Sequence, residues 1–197
     1  MRRLTSAQLR ALLSVGILLG VGSVGTMARF TASGDANAGS FTTGTLDVRL
    51  NAAGNNVGQG GTWTNASLTI GDLTPGESLA VGFPVRNDGT TAFTYTATAT
   101  ATGDLAPLLR FSTYLGGTAG NTGNSTDDNR VGTCSGTSVS SSQTLSGTAV
   151  NVIPNAQSVA VNGSQNVCVL VSLVATAASS AQGDSATATY AFNAVQP

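Results

Sequence analysis

Strict two-residue alternation limits what this chain can become more than any other feature. Leu79, Val81, Phe83 and Val85 alternate with Ser78, Ala80, Gly82 and Pro84. Phe93, Tyr95, Ala97, Ala99 and Ala101 then alternate with Thr94, Thr96, Thr98, Thr100 and Thr102. A period of two sends one set of side chains to a core and the other to solvent or a second layer. Between the runs lies Asn87-Asp88-Gly89-Thr90, whose Asp-Gly step favours a turn with positive φ. The two runs are therefore expected to form an antiparallel hairpin. Upstream, Thr74-Pro75-Gly76-Glu77 reads as a reverse turn, Pro presetting φ and Gly taking the strained position. Pro84 lacks a backbone donor, so its strand is expected at an edge or with a bulge there.

The same pattern recurs along the chain. Leu46, Val48 and Leu50 face in while Thr45, Asp47 and Arg49 face out. Trp63 opens a strand toward Leu68 and Ile70. Leu108 to Leu115 reads as a strand. Asn166 to Thr176 is the most apolar run and is expected to be central. Ala186, Ala188, Tyr190, Phe192 and Ala194 share one face of a last strand. Residues 51–61 form a Gly/Asn loop, and residues 116–147 read as a long solvated polar segment. Pro154 sits in a short strand or turn within 150–161. About eight strands, Gly/Asn/Asp-rich turns and no helical period after the leader predict an all-β antiparallel sandwich of Greek-key or jelly-roll type.

The N-terminus has another character. Arg2, Arg3 and Arg10 precede an apolar run from Ala11 to Val24, and Thr26-Met27-Ala28 offers small residues for a signal peptidase. Residues 1–28 are expected to be a secretory signal peptide cut between Ala28 and Arg29. The competing reading is a retained membrane anchor, since 11–28 is barely long enough to span a bilayer. The predicted organisation is leader 1–28, an N-terminal segment 29–39 and a sandwich domain 40–197. In the segment, Phe30, Ala32, Gly34, Ala36 and Ala38 alternate with Thr31, Ser33, Asp35 and Asn37. It reads either as a disordered new N-terminus or as a strand that pairs only when a partner is present.

Charge and residue type narrow the function. The chain has 197 residues, no His and no Lys, and only 9% charged residues. Without His there is no Ser-His-Asp triad, Cys-His pair, His base or His metal ligand. The nine acids form no recognisable acid/base motif, so neither an enzyme nor a cofactor is expected. Removing the three leader arginines from the eight basic residues leaves five against nine acids, a net charge near −4. Such a surface is a poor match for nucleic acid or anionic lipid. Cys134 and Cys168 are the only cysteines, and in an exported chain two cysteines most simply form one disulfide. Two free thiols or a partial metal site are the alternatives.

Several segments resemble one family. Ser40-Phe41-Thr42-Thr43-Gly44-Thr45-Leu46-Asp47-Val48 after a Gly-rich leader is similar to the start of the TasA/camelysin family. So are Leu73-Thr74-Pro75-Gly76-Glu77-Ser78, Val85-Arg86-Asn87-Asp88-Gly89-Thr90, Val167-Cys168-Val169-Leu170-Val171 and the closing Gln182-Gly183-Asp184-Ser185 before Phe192-Asn193-Ala194. The resemblance implies a jelly roll, export through a dedicated signal peptidase, and a place in extracellular biofilm fibres. In those fibres the N-terminal segment of one subunit, here residues 29–39, inserts as a strand into the next. The partners implied are other copies of the chain, head to tail, the signal peptidase during export, and matrix or cell-wall components. The Lys-free, Gly/Ala/Thr-rich composition departs from the Lys-rich members. Two other functions compete: a monomeric surface adhesin using loops 51–61 and 116–136, and the metallo-endopeptidase label some members carry. A zinc peptidase needs ligands and a base that this chain lacks.

Overall fold

The structure is a computed structural model that describes residues 44–50, 73–124 and 126–196. Residues 1–43 and 51–72 lie outside it, and with them the leader, the segment 29–39 and the Trp63 strand. Ten strands are described: β1 (Val48–Leu50), β2 (Ser78–Asn87), β3 (Phe93–Thr102), β4 (Leu109–Leu115), β5 (Ala119–Thr122), β6 (Val131–Cys134), β7 (Thr137–Gln143), β8 (Val150–Val159), β9 (Ser164–Leu173) and β10 (Thr187–Val195). All pairings are antiparallel. A five-stranded sheet runs β1-β2-β9-β4-β7 and faces a three-stranded sheet β10-β3-β8; β5 and β6 make a small separate ribbon. The fold is an all-β sandwich. Long strands that follow one another, β2, β3, β4 and then β7, β8, β9, β10, switch sheets at each step, a jelly-roll-like winding.

Period-two burial explains why each run is a strand. Phe93, Tyr95, Ala97, Ala99 and Ala101 are all buried while the threonines between them are not. They meet Phe83, Val85, Phe111, Val167, Val169 and Val171 of the larger sheet. Phe192 of β10 closes this core, edge-on to Phe83 at 6.0 Å between ring centroids and tilted against Tyr95 at 5.9 Å. β9 is the middle strand of five, as its apolar run predicts, bonded to β2 on one side and β4 on the other.

One expectation is overturned. The two alternating runs do not form a hairpin; β2 and β3 lie in different sheets. The connection between them is claimed by another segment. Asp88 N–H donates to Asp47 O and Thr90 N–H to Thr45 O, both at 3.0 Å. Gly89 does not take a positive φ; it is small because a Cβ there would collide with the Thr45 and Asp47 backbone. Buried Asn87 fixes the crossing. Its Nδ2 donates to Thr91 O at 2.9 Å and to Val159 O at 3.2 Å, and its Oδ1 accepts from Gly89 N–H at 3.0 Å. Asn87 N–H also donates to Gly163 O, and Asn87 O accepts from Asn162 N–H. Both runs therefore bury their apolar faces against one core from opposite sides. The Thr74–Glu77 turn forms as expected, with Gly76 at φ 93° and Glu77 N–H donating to Thr74 O.

Two further expectations change. Residues 116–147 are not one solvated loop, since they hold β5, β6 and β7. Residues 150–161 hold a ten-residue strand, with Pro154 at an exposed position of β8.

Candidate interaction edges

Among the described residues no group of three or more His, Cys, Asp or Glu could hold a metal. The informative sites are sheet edges, where unpaired backbone can recruit another chain. The β5–β6 ribbon covers one of them. In β2, Glu77 O accepts from Leu173 N–H, so odd-numbered residues bond toward β9 and even-numbered ones point to the opposite edge. That edge is met in turn: Ser78 N–H donates to Arg130 O at 3.1 Å. Ala80 N–H donates to Asn121 Oδ1, and Asn121 Nδ2 donates to Ala80 O, each at 2.8 Å. Gly132 N–H donates to Ser78 Oγ at 2.9 Å. Gly132 lies so close to the Leu79–Ala80 backbone that a Cβ there would meet Ala80 N at 2.5 Å.

Two anchors hold the ribbon in place. Cys134 and Cys168 form a disulfide with Cα atoms 5.8 Å apart. Glu77, 3% exposed, takes Arg130 Nη2 at 3.0 Å and Arg130 Nε at 3.2 Å. Its carboxylate also accepts from Arg130 N–H at 2.8 Å and Thr74 N–H at 2.7 Å. These donors, the Arg130 side chain foremost, hold its pKa down to about 2 against the opposing effect of burial.

Beyond the ribbon the β2 edge opens at Gly82 and Pro84. They line a cleft of about 250 Å³ with Gly117, Thr118, Ala119 and Asn166. Pro84 is even-numbered, so its missing donor faces this cleft and costs the sheet nothing. Among the described residues no strand pairs with β2 on this side at Pro84, in line with the expectation of an edge or a bulge there. Further on, β1 pairs with β2 through Arg49 opposite Arg86. Two like charges across a pair repel, and Asp88 lies between them, 3.0 Å from Arg49 Nε and 3.1 Å from Arg86 Nη2; Asp47 adds a contact at 3.2 Å.

Other edges are blunted differently. β7 slips register twice against β4, and Ser142 in it sits at φ 50°. β8 slips twice against β3 and carries Pro154. Among the described edge strands longer than four residues, β10 is the one with neither device.

The predicted cleavage pair Ala28 and Arg29, and the predicted strand residues Phe30, Ala32, Gly34, Ala36 and Ala38, lie outside the described residues. Asn121 and Arg130 carry the architecture without having been singled out, and Asn87, expected only as part of a hairpin turn, does so by fixing the crossing between the sheets. The two asparagines act through side-chain-to-backbone bonds and Arg130 through its ion pair with Glu77, none of which leaves a periodic mark in the sequence. No protein-family model and no curated protein sequence matches the chain.

Proposed function

We propose that this protein is a secreted structural subunit of an extracellular fibre or biofilm matrix, assembling head to tail when residues 29–39 of one copy join the sandwich of the next. The single observation that supports this most is the imbalance of the sandwich. Five strands face three among the described residues, so the smaller sheet has room for an added strand. An added strand gains main-chain hydrogen bonds along its length and places alternate side chains in pockets. A head-to-tail relation whose rotation does not close into a ring generates an open filament. The disulfide and the leader pattern of residues 1–28 fit export to an oxidising compartment. Cleavage after Ala28 would release the donor segment.

The test uses the mature chain from Arg29, imaged by negative-stain microscopy at high concentration beside a variant lacking residues 29–39. Filaments from the first and folded, disulfide-bonded monomer from the second are expected. Filaments from both would refute strand donation. Monomer from both would favour the adhesin reading.

A further inference from the structure

Independently of the fibre reading, we propose that the sandwich holds one internal water molecule where Thr113, Ser140 and Tyr190 meet. The observation behind it is a set of three hydroxyls that have left solvent and found no protein partner. Thr113 Oγ1, Ser140 Oγ and Tyr190 Oη are buried, and among the described residues none of them has a well-formed hydrogen bond. Thr113 as a whole is 0% exposed. A buried hydroxyl left unpaired is costly, and native interiors leave few of them.

The three hydroxyls come from three strands, and Thr113 is the middle one. It stands opposite Ser140 in the β4–β7 ladder, and its hydroxyl is the neighbour of the Tyr190 phenol. Facing residues of an antiparallel pair send their side chains to the same side, so Ser140 shares the inward side with Thr113. The register slips on both sides of this one pair, which sets Ser140 off from the regular ladder. Tyr190 reaches the pair from the smaller sheet, where it stands opposite Ala99. The other tyrosine that crosses between the sheets closes its bond directly: the Tyr95 hydroxyl donates to Gln165 Oε1 at 2.7 Å. At Tyr190 the hydroxyls come near one another without closing.

Chemistry selects the occupant. Each hydroxyl can give one hydrogen bond and accept others, so a molecule that both gives and takes suits all three. An internal water commonly makes about three bonds to groups of this kind. An ion does not fit, because none of the three side chains is charged and an uncompensated charge is costly to bury. Glu77, the charged residue among the buried described ones, is already taken by Arg130 and Thr74. Beside Tyr190, β3 places only Ala97, Ala99 and Ala101 on the inward side, so no long side chain of that strand competes for the spot. The water thereby links β10 of the smaller sheet to β4 and β7 of the larger one.

Two measurements on the disulfide-bonded mature chain test this. A high-resolution crystal structure should show one ordered water within hydrogen-bond distance of all three oxygens. A direct bond between Tyr190 and Thr113, with no water on them, would overturn the proposal. The second measurement is the folding constant from denaturant unfolding. Thr113→Val removes the middle partner and strands the other two hydroxyls, so the constant should fall at least about tenfold. On a background of Tyr190→Phe with Ser140→Ala the same change strands nothing, and it should cost less than about threefold. An equal cost on both backgrounds would show that the three hydroxyls are not joined. Thr113→Val as stable as the unmutated chain would show that they are simply unpaired. If Thr113→Val fails to fold, the crystal structure of the unmutated chain decides alone.

Discussion

Asn121 pairs with Ala80 as though it were a strand residue. Its amide gives one hydrogen bond to the Ala80 carbonyl and takes one from the Ala80 N–H, both 2.8 Å long. A single side chain thereby supplies the ladder step that a neighbouring strand would supply. Replacing it with Ala leaves both Ala80 groups on an open edge. We expect Asn121→Ala to cost about 1–3 kcal/mol, read as a lower denaturation midpoint with the Cys134–Cys168 bond intact. Asn121→Asp keeps the acceptor but turns a carboxylate oxygen toward the Ala80 carbonyl, so it should be at least as damaging. An unchanged midpoint in both variants would show that the ribbon is held elsewhere.

The second anchor of the ribbon makes stability depend on acid. The pKa of Glu77 lies at about 2 in the fold, below its ordinary value of 4.5, chiefly because Arg130 holds the ionised form. A depressed carboxylate stabilises the fold fully above its unfolded pKa, and this contribution fades as pH falls from about 4.5 toward 2. The amount at stake is on the order of 3 kcal/mol. Glu77→Gln should lower stability at pH 7 and flatten its decline between pH 5 and 2. A variant that loses stability over that range as steeply as the native chain would assign the acid response to other groups.

How much of this was legible beforehand depends on the kind of interaction. Burial at every second residue is written in composition, so Phe93 to Ala101 and the central β9 could be placed from sequence. Partner choice was not. The Asp88-Gly89 step has the residues of a tight hairpin, yet Asp47 takes the Asp88 amide, Thr45 takes that of Thr90, and Asn87 turns the chain into the opposite sheet. β5, β6 and β7 were hidden for a related reason. All three contain few apolar residues; β5 and β6 are held by Asn121, Ser78, Arg130 and a disulfide, whose partners lie 34 to 54 residues away, and β7 by pairing with β4 across two register slips. The edge character at Pro84 was visible because a missing N–H is a local fact.

The disulfide ties the same ribbon to the middle strand of the larger sheet. Cys168 is fully buried, and the bond spans 34 residues. On the chain-entropy account, opening a loop of that size costs about 4 kcal/mol. Cys134→Ser with Cys168→Ala should therefore lower stability by that order while keeping the β2–β9 pairing. A loss under 1 kcal/mol, measured by denaturant unfolding against the oxidised chain, would show that Glu77–Arg130 and Asn121 suffice.

Two buried tyrosines are expected to limit stability on the alkaline side. Burial pushes the Tyr190 phenol up to about 12 and raises Tyr95 as well. The Tyr95 hydroxyl donates to Gln165 Oε1 at 2.7 Å, while the buried Tyr190 hydroxyl lies beside Thr113 without a well-formed hydrogen bond. A phenol with a raised pKa keeps its proton in the fold after the unfolded chain has lost it. Its stabilising effect is complete below about pH 10 and is lost as pH climbs toward 12. Unfolding should therefore steepen above pH 10, and absorbance near 295 nm should show these phenols ionising together with loss of structure. Tyr190→Phe keeps the ring that packs at the border of β10 and removes the ionisable group. It should be close to neutral at pH 7 and extend the stable range on the alkaline side. If the native chain titrates all its tyrosines before any strand signal is lost, the β10 border is open to solvent to a depth that this packing forbids.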